Sequence, residues 1–187
     1  LHLWYRRQRQ MCIRDRISPI RVNNGADFLQ RFLPEFEKAE EKFGVPKEII
    51  AAIIGIESSY GSITGRERVI DSLSTLAFDY PRRSNFFTKQ LEHFLLLARE
   101  EKLDAFSMKG SYAGAMGYGQ FIPSSYRSYA IDFDNDGIRN IVTNPVDAIG
   151  SVANYLSKHG WEKNALIAEA LERNDVTSDF KTSLTLK

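Results

Sequence analysis

The sequence predicts a mainly α-helical fold. Three observations carry that expectation. Apolar residues recur at helical spacing in several long segments, helix start and stop signals bracket those segments, and strand-like alternation is short and weak. The 187 residues suffice for one domain with a sizeable core. With 43% hydrophobic and 26% charged residues, the composition is that of a globular chain, not a disordered one. A net charge of +1 offers no global field for nucleic acid. The longest uncharged apolar run, Ile49 to Ile56, is too short to span a bilayer.

The first sixteen residues, LHLWYRRQRQMCIRDR, differ from the rest. They hold five of the 25 basic residues, the single cysteine and one of the two tryptophans. A basic arm for nucleic acid or anionic lipid is one reading. The preferred one is a stretch foreign to the protein, similar to the translated adapter sequence at the edges of reading frames from environmental sequencing. Setting it aside leaves 20 basic against 23 acidic residues, a net charge of −3. It also leaves no cysteine, hence neither a disulfide framework nor a thiol site.

Asp27 to Phe43 reads as an amphipathic helix restarted at Pro34 and ended by Gly44. Pro46 opens the next helix, with Glu48 in its first turn and Gly61 just past its end. Arg66 to Phe78 and Asn85 to Lys102 read as two more. In the second, Phe86, Leu91, Phe94, Leu95 and Ala98 form an apolar stripe. A Gly-rich aromatic segment follows, GSYAGAMGYGQFIPSSY at 110–126, and then an acidic loop from Asp132 to Asn144. Pro145 starts a helix to about His159, and Trp161 to Arg173 reads as a last one. The order contains no internal repeat.

One carboxylate stands out. Ile49, Ile53 and Glu57 occupy successive i, i+4 positions with Ile50 and Ile56 beside them, so Glu57 is expected on an apolar face near the helix end. Poor solvation there favours the neutral acid, which can donate a proton to a leaving oxygen and then act as base. The alternative is a glutamate at the helix edge that reaches water or pairs with an arginine.

The segment at 110–126 has the composition of a binding wall. Its four glycines from Gly110 to Gly119 would let backbone approach a ligand. Tyr112, Tyr118 and Phe121 offer aromatic faces, and Ser111 and Gln120 offer hydrogen bonds. That mixture suits a sugar better than a phosphate, for which no Gly-Lys-Ser/Thr loop exists. A Gly-rich turn with core tyrosines is the alternative.

VPKEIIAAIIGIESSYG, DYPRR at 79–83, GSYAGAMGYGQFIPSSY and NPVDAIGSVANYLSKHGW occur in that order. Together they closely resemble the membrane-bound lytic murein transglycosylase B family, from about Ile17 to Trp161. The resemblance implies a lysozyme-like helical domain that cleaves the β-1,4 bond between N-acetylmuramic acid and N-acetylglucosamine in peptidoglycan. It implies Glu57 as the single catalytic acid/base, and it places Ser111, Gln120 and Tyr155 around the bound sugars, with Tyr118 in the same wall. Most glycosidases need two carboxylates. One suffices if the substrate supplies the rest. The family reaction has Glu57 protonate the glycosidic oxygen while the muramic acid N-acetyl carbonyl stabilises the anomeric carbon. Glu57 then deprotonates the 6-hydroxyl of that sugar, closing a 1,6-anhydro ring without consuming water. A lysozyme-type hydrolase using the same glutamate is the nearest rival. A non-catalytic murein-binding or calcium-binding module is the other.

DFDNDGIRN at 132–140 matches the opening of an EF-hand loop. Asp132, Asp134 and Asp136 fill positions one, three and five, Gly137 fills position six, and Ile138 can add its backbone carbonyl. The twelfth position is Thr143 in place of glutamate; the resemblance supplies Asp147 as the closing ligand. A structural Ca²⁺ is the preferred reading. A solvated acidic turn, with Asn144 as N-cap, Pro145 at N1 and Asp147 near the helix dipole, is the alternative. Arg82 and Arg83 either clamp carboxylates of the peptide stems or form a plain surface pair. His93 and His159 lack ligand spacing and read as structural.

The expected division is 1–16 foreign, 17–175 a catalytic domain incomplete at its C-terminal end, and 176–187 a truncated tail. In the resembling family the second wall of the sugar groove carries aromatic and Arg-Tyr-Asn residues beyond the Trp161 match. Weak turnover by this chain is expected for that reason. The expected setting is a monomer in the periplasm or at the outer membrane, acting on glycan strands and held by a lipid anchor outside this chain.

Overall fold

The computed structural model describes residues 18–165. Among them the chain forms seven α-helices: α1 Pro19–Arg31, α2 Leu33–Phe43, α3 Lys47–Ser58, α4 Val69–Phe78, α5 Ser84–Glu100, α6 Pro123–Tyr129 and α7 Pro145–Lys158. A 3₁₀ turn at Pro81–Arg83 joins α4 to α5. Two short strands, β1 Glu67–Arg68 and β2 Lys109–Gly110, pair antiparallel with Glu67 opposite Gly110 and Arg68 opposite Lys109.

Local signals account for most boundaries. Ser18 caps α1 by accepting from the Arg21 N–H at 3.4 Å, ahead of Pro19 at the first helical position. Gly44, at φ 72°, ends α2 in the left-handed conformation that glycine tolerates best. Asn144 caps α7, accepting from the Val146 N–H at 2.9 Å. Three expectations shift. The first helix begins at Pro19, because the Ser-Pro cap precedes the apolar spacing that marked Asp27. Glu67 and Arg68 pair with Lys109 and Gly110 as strands, so α4 starts only at Val69. Residues 161–165 form a turn instead of opening a helix, and the rest of the segment expected up to Arg173 lies outside the described residues. The short helix α6 begins inside the segment read only as Gly-rich and runs three residues past it.

Helix α7 is the centre of the packing. Every residue from Asp147 to Asn154 on it is buried, and it touches α2, α3 and α6. Its small side chains make that possible. A Cβ on Gly150 would stand 2.3 Å from the Phe133 ring, so glycine there admits the aromatic anchor of the acidic loop. Phe36, Ile50, Ile54, Leu73, Phe94, Leu97 and Met116 complete the core, all essentially inaccessible to water. At about 1.5–3 kcal/mol for each large apolar side chain buried, this cluster is the main source of stability.

Candidate active site

A groove of about 290 Å³ runs between α3, the 119–122 segment, α6 and α7. Ile53 and Glu57 line it from α3, Gly119, Gln120, Phe121 and Ile122 from the Gly-rich segment, Ser125 from α6, and Val152, Tyr155 and Leu156 from α7. Glu57 is the only acidic residue in that lining. The predicted constellation of Glu57, Gln120 and Tyr155 therefore converges in one cleft.

Glu57 is not held as expected. Its side chain is exposed. Helix α3 buries Ile50, Ala51, Ile54, Gly55 and Ser58, whereas Ile53 and Glu57 fall on the adjacent stripe facing the groove. The apolar helix face thus does not desolvate the carboxyl; the expectation fails because two neighbouring stripes of this helix are apolar and only one packs inward.

The next residue sets the geometry. Ser58 is buried, and its Oγ lies 2.7 Å from the Tyr118 carbonyl and 3.1 Å from the Ile54 carbonyl. It also accepts from the Gly61 N–H at 3.0 Å. One hydroxyl thereby joins the end of the Glu57 helix to the Gly-rich wall. Beyond it, Ser59 (φ 50°) and Tyr60 (φ 58°) both adopt left-handed backbone, uncommon for residues with a side chain. Tyr60 donates to the Arg21 carbonyl at 3.1 Å while Arg21 Nη1 donates to the Gly55 carbonyl at 3.0 Å, clasping α1 to α3.

Gln120, itself at φ 49°, donates both amide protons inward, to Thr64 and Gly117 carbonyls at 3.0 Å each. Its Oε1 accepts from no described group and remains available at the groove. Gly117 (φ 73°) is required by a neighbour, not by a ligand: a Cβ there would meet the Ile141 carbonyl at 2.3 Å. Gln90, buried on α5, accepts from the Ser124 N–H at 3.0 Å and fixes the start of α6, which presents Ser125.

The other predicted sugar contacts lie outside the groove lining. Ser111 Oγ accepts from the N–H groups of Ala113 (3.3 Å) and Ala115 (3.1 Å), so it shapes the turn. Tyr118 is half-buried behind the wall and stacks on Phe28 at 6.3 Å. Tyr112 is 80% exposed. Arg82 and Arg83 are exposed on the 3₁₀ turn, with the Arg83 guanidinium 4.5 Å from the centre of the Phe86 ring. His93 Nδ1 meets Arg127 Nη1 at 2.7 Å, away from the groove.

Sequence reasoning missed Ser58, Ser125, Val152 and Leu156, placed Ile53 only on the apolar helix face and read His159 as structural. The imidazole of His159 stacks on Tyr155 at 4.0 Å between ring centres. Their i, i+4 spacing on a helix was the available signal.

The acidic loop brings Asp132, Asp134 and Asp147 together, with one carboxylate oxygen from each within 4.8 Å of the others. Asp147 is fully buried and accepts from the Phe133 and Asn140 N–H groups, both at 2.7 Å. Burial pushes its carboxyl upward, and the charges of Asp134 and Asp132 push the same way. Asp134 is drawn down, chiefly by its hydrogen bond from Asn144. Hard oxygens, mutual repulsion and a buried closing carboxylate suit a divalent cation such as Ca²⁺. Asp136 is not part of that trio: its Oδ1 accepts from the Ile138 N–H at 2.8 Å, in a local turn. The capping role of Asn144 holds alongside the cluster.

The sequence profile of the transglycosylase SLT domain matches residues 7–186. This chain belongs to that family. Membrane-bound lytic murein transglycosylase B of Escherichia coli (strain K12) is 51% identical to this SLT domain over 152 residues, 81% of the chain and 42% of the relative. The Escherichia coli lytic transglycosylase Slt35 in complex with calcium superposes with a TM-score of 0.80 at 50% identity, over 83% of this chain and 51% of that one. SltB3 of Pseudomonas aeruginosa, in complex with NAG-NAM-pentapeptide, gives 0.78 at 39% identity, over 81% and 40%. The chain spans about half the length of these relatives or less. No helix among the described residues is long and apolar enough to cross a membrane.

Proposed function

We propose that this chain is the Glu57-bearing part of a lytic transglycosylase acting on peptidoglycan glycan strands. The observation that carries the reading is the groove in which Glu57 faces Gln120 and Tyr155 with no second acidic residue in the lining. A hydrolase of the usual two-carboxylate kind needs a partner acid within about 5–10 Å. A transglycosylase needs one, since the substrate's N-acetyl carbonyl and 6-hydroxyl supply the remaining chemistry.

In this reading Glu57 protonates the glycosidic oxygen between N-acetylmuramic acid and N-acetylglucosamine as the C1–O bond breaks. The carboxylate then takes the proton of the muramic acid 6-hydroxyl, whose oxygen bonds C1 and closes the 1,6-anhydro ring. A glycan lying over Ile53 and Glu57 would exclude water from the reacting atoms. Gln120 Oε1 accepts from a sugar amide or hydroxyl. Tyr155 contacts the sugar from α7, while Ser111 and Tyr118 act behind the wall. Arg82 and Arg83 are the guanidinium groups offered to carboxylates of the peptide stems.

Asp132, Asp134 and Asp147 would hold Ca²⁺, with Asp136 shaping the turn of the same loop. The ion would supply charge neutralisation that ties the loop to α7, in a structural role. The name of the Escherichia coli relative, a membrane-bound murein transglycosylase, supports a setting in the bacterial cell envelope, and we propose a monomer held there by a lipid anchor. We assign the catalytic domain to the span that the family profile matches, residues 7–186, which reaches beyond the expected 17–175 at both ends.

Mass spectrometry of purified murein sacculi digested by the protein tests the reaction. Muropeptides ending in 1,6-anhydromuramic acid support it; reducing muramic acid ends, heavier by one water, would assign a hydrolase instead.

A further inference from the structure

We propose that His159 is a positioning residue for the groove, acting through Tyr155; the inference rests on the glycan reading of that groove. The two rings lie 4.0 Å apart with an interplanar angle of 24°, a stacked pair. Tyr155 is further boxed by Phe121 at 5.5 Å and 54°, and by Tyr129 at 5.2 Å and 83°. Tyr129 also meets His159 edge-on, at 4.8 Å. One face of Tyr155 is therefore taken by the imidazole and cannot stack on a sugar. Its hydroxyl, which bonds to no described group, is the part left for a ligand.

The imidazole is oriented from the backbone. His159 Nδ1 lies 2.7 Å from the Tyr155 carbonyl, and since a carbonyl only accepts, Nδ1 carries the proton. The helix end does not need that bond. Gly160 (φ 88°) turns the chain in left-handed conformation, and the Trp161 N–H closes onto the Leu156 carbonyl at 3.1 Å. The Trp161 indole N–H then anchors to the Gly44 carbonyl at 2.9 Å. With the helix stop secured by 160–161, the exposed imidazole serves the stack.

Two substitutions separate stacking from capping. His159→Asn keeps a short polar group able to bond the last carbonyls and removes the ring. His159→Phe keeps the ring and removes the bond. Binding of a β-1,4-linked N-acetylglucosamine tetramer, followed by calorimetry on the whole chain, is the readout, with melting temperature measured in parallel. An aromatic pair of this kind corresponds to roughly three- to tenfold in affinity. The expected result is that loss for His159→Asn and rescue to within about twofold by His159→Phe. In a Tyr155→Ala background His159→Asn adds nothing, because its effect passes through Tyr155. A capping role gives the reverse: His159→Asn binds like the parent and His159→Phe lowers the melting temperature. That order, or an undiminished effect of His159→Asn without Tyr155, overturns the proposal while leaving the groove reading intact. A parent that fails to bind the tetramer sinks both.

Discussion

Ser58 Oγ stands 2.7 Å from the carbonyl of Tyr118, sixty residues away. Through that contact the helix bearing Glu57 is tied to the segment bearing Gln120. Removing the hydroxyl leaves the Tyr118 carbonyl and the Gly61 N–H short of a partner in a half-buried setting. Ser58→Ala is expected to cost about 1–3 kcal/mol of stability. Catalysis is expected to fall further than stability explains, because a displacement of about 1 Å at a reacting group can cost roughly a hundredfold. Urea unfolding and initial rates on sacculi, compared in one variant, test this; an unchanged rate in a destabilised variant would assign Ser58 to the fold alone.

Glu57→Gln is expected to abolish turnover, since only the acid exchanges protons. The side chain is exposed, so stability is expected to change by no more than about 0.5 kcal/mol. Release of anhydro-muropeptides within about tenfold of the parent rate would remove Glu57 from its role as acid/base.

Calcium is expected to raise the melting temperature, because a cation that binds the native loop alone stabilises it, by about 2.7 kcal/mol at a hundredfold excess over Kd. Asp134→Ala is expected to abolish the response while Asp136→Ala, outside the carboxylate trio, weakens it less. Identical melting curves with calcium and with chelator would return the loop to a solvated acidic turn.

An alkaline transition is expected from Tyr126. Its buried hydroxyl donates to the Arg139 carbonyl at 2.6 Å, and burial pushes its pKa from the ordinary 10.0 up to about 12. The folded state then holds a proton that the unfolded chain has lost. The contribution is fully present below pH 10.0 and is lost as pH rises toward about 12. Tyr126→Phe is expected to be less stable at neutral pH by about 1–3 kcal/mol, yet to show a shallower decline across that window. Parallel alkaline profiles of the two proteins would exclude the effect.

Much of this protein was legible from local sequence. Helical periodicity, the Asn144-Pro145 start and the Gly44 stop are read from neighbours three or four residues apart, and those short-range forces suffice to define most elements. The Asp-x-Asp spacing of the loop is equally local. Helix α3 marks where that reasoning ends. Lys47–Ser58 is apolar on two adjacent stripes, so periodicity cannot tell which one faces the core. Packing against α1 and α7 decides it, burying Ile50, Ile54 and Ser58 and leaving Ile53 and Glu57 to the groove. Asp136 turned to its own loop, and Ser58 acquired its place, for the same reason. Their partners come from other segments or from competing backbone donors, and only the folded chain ranks those contacts against one another.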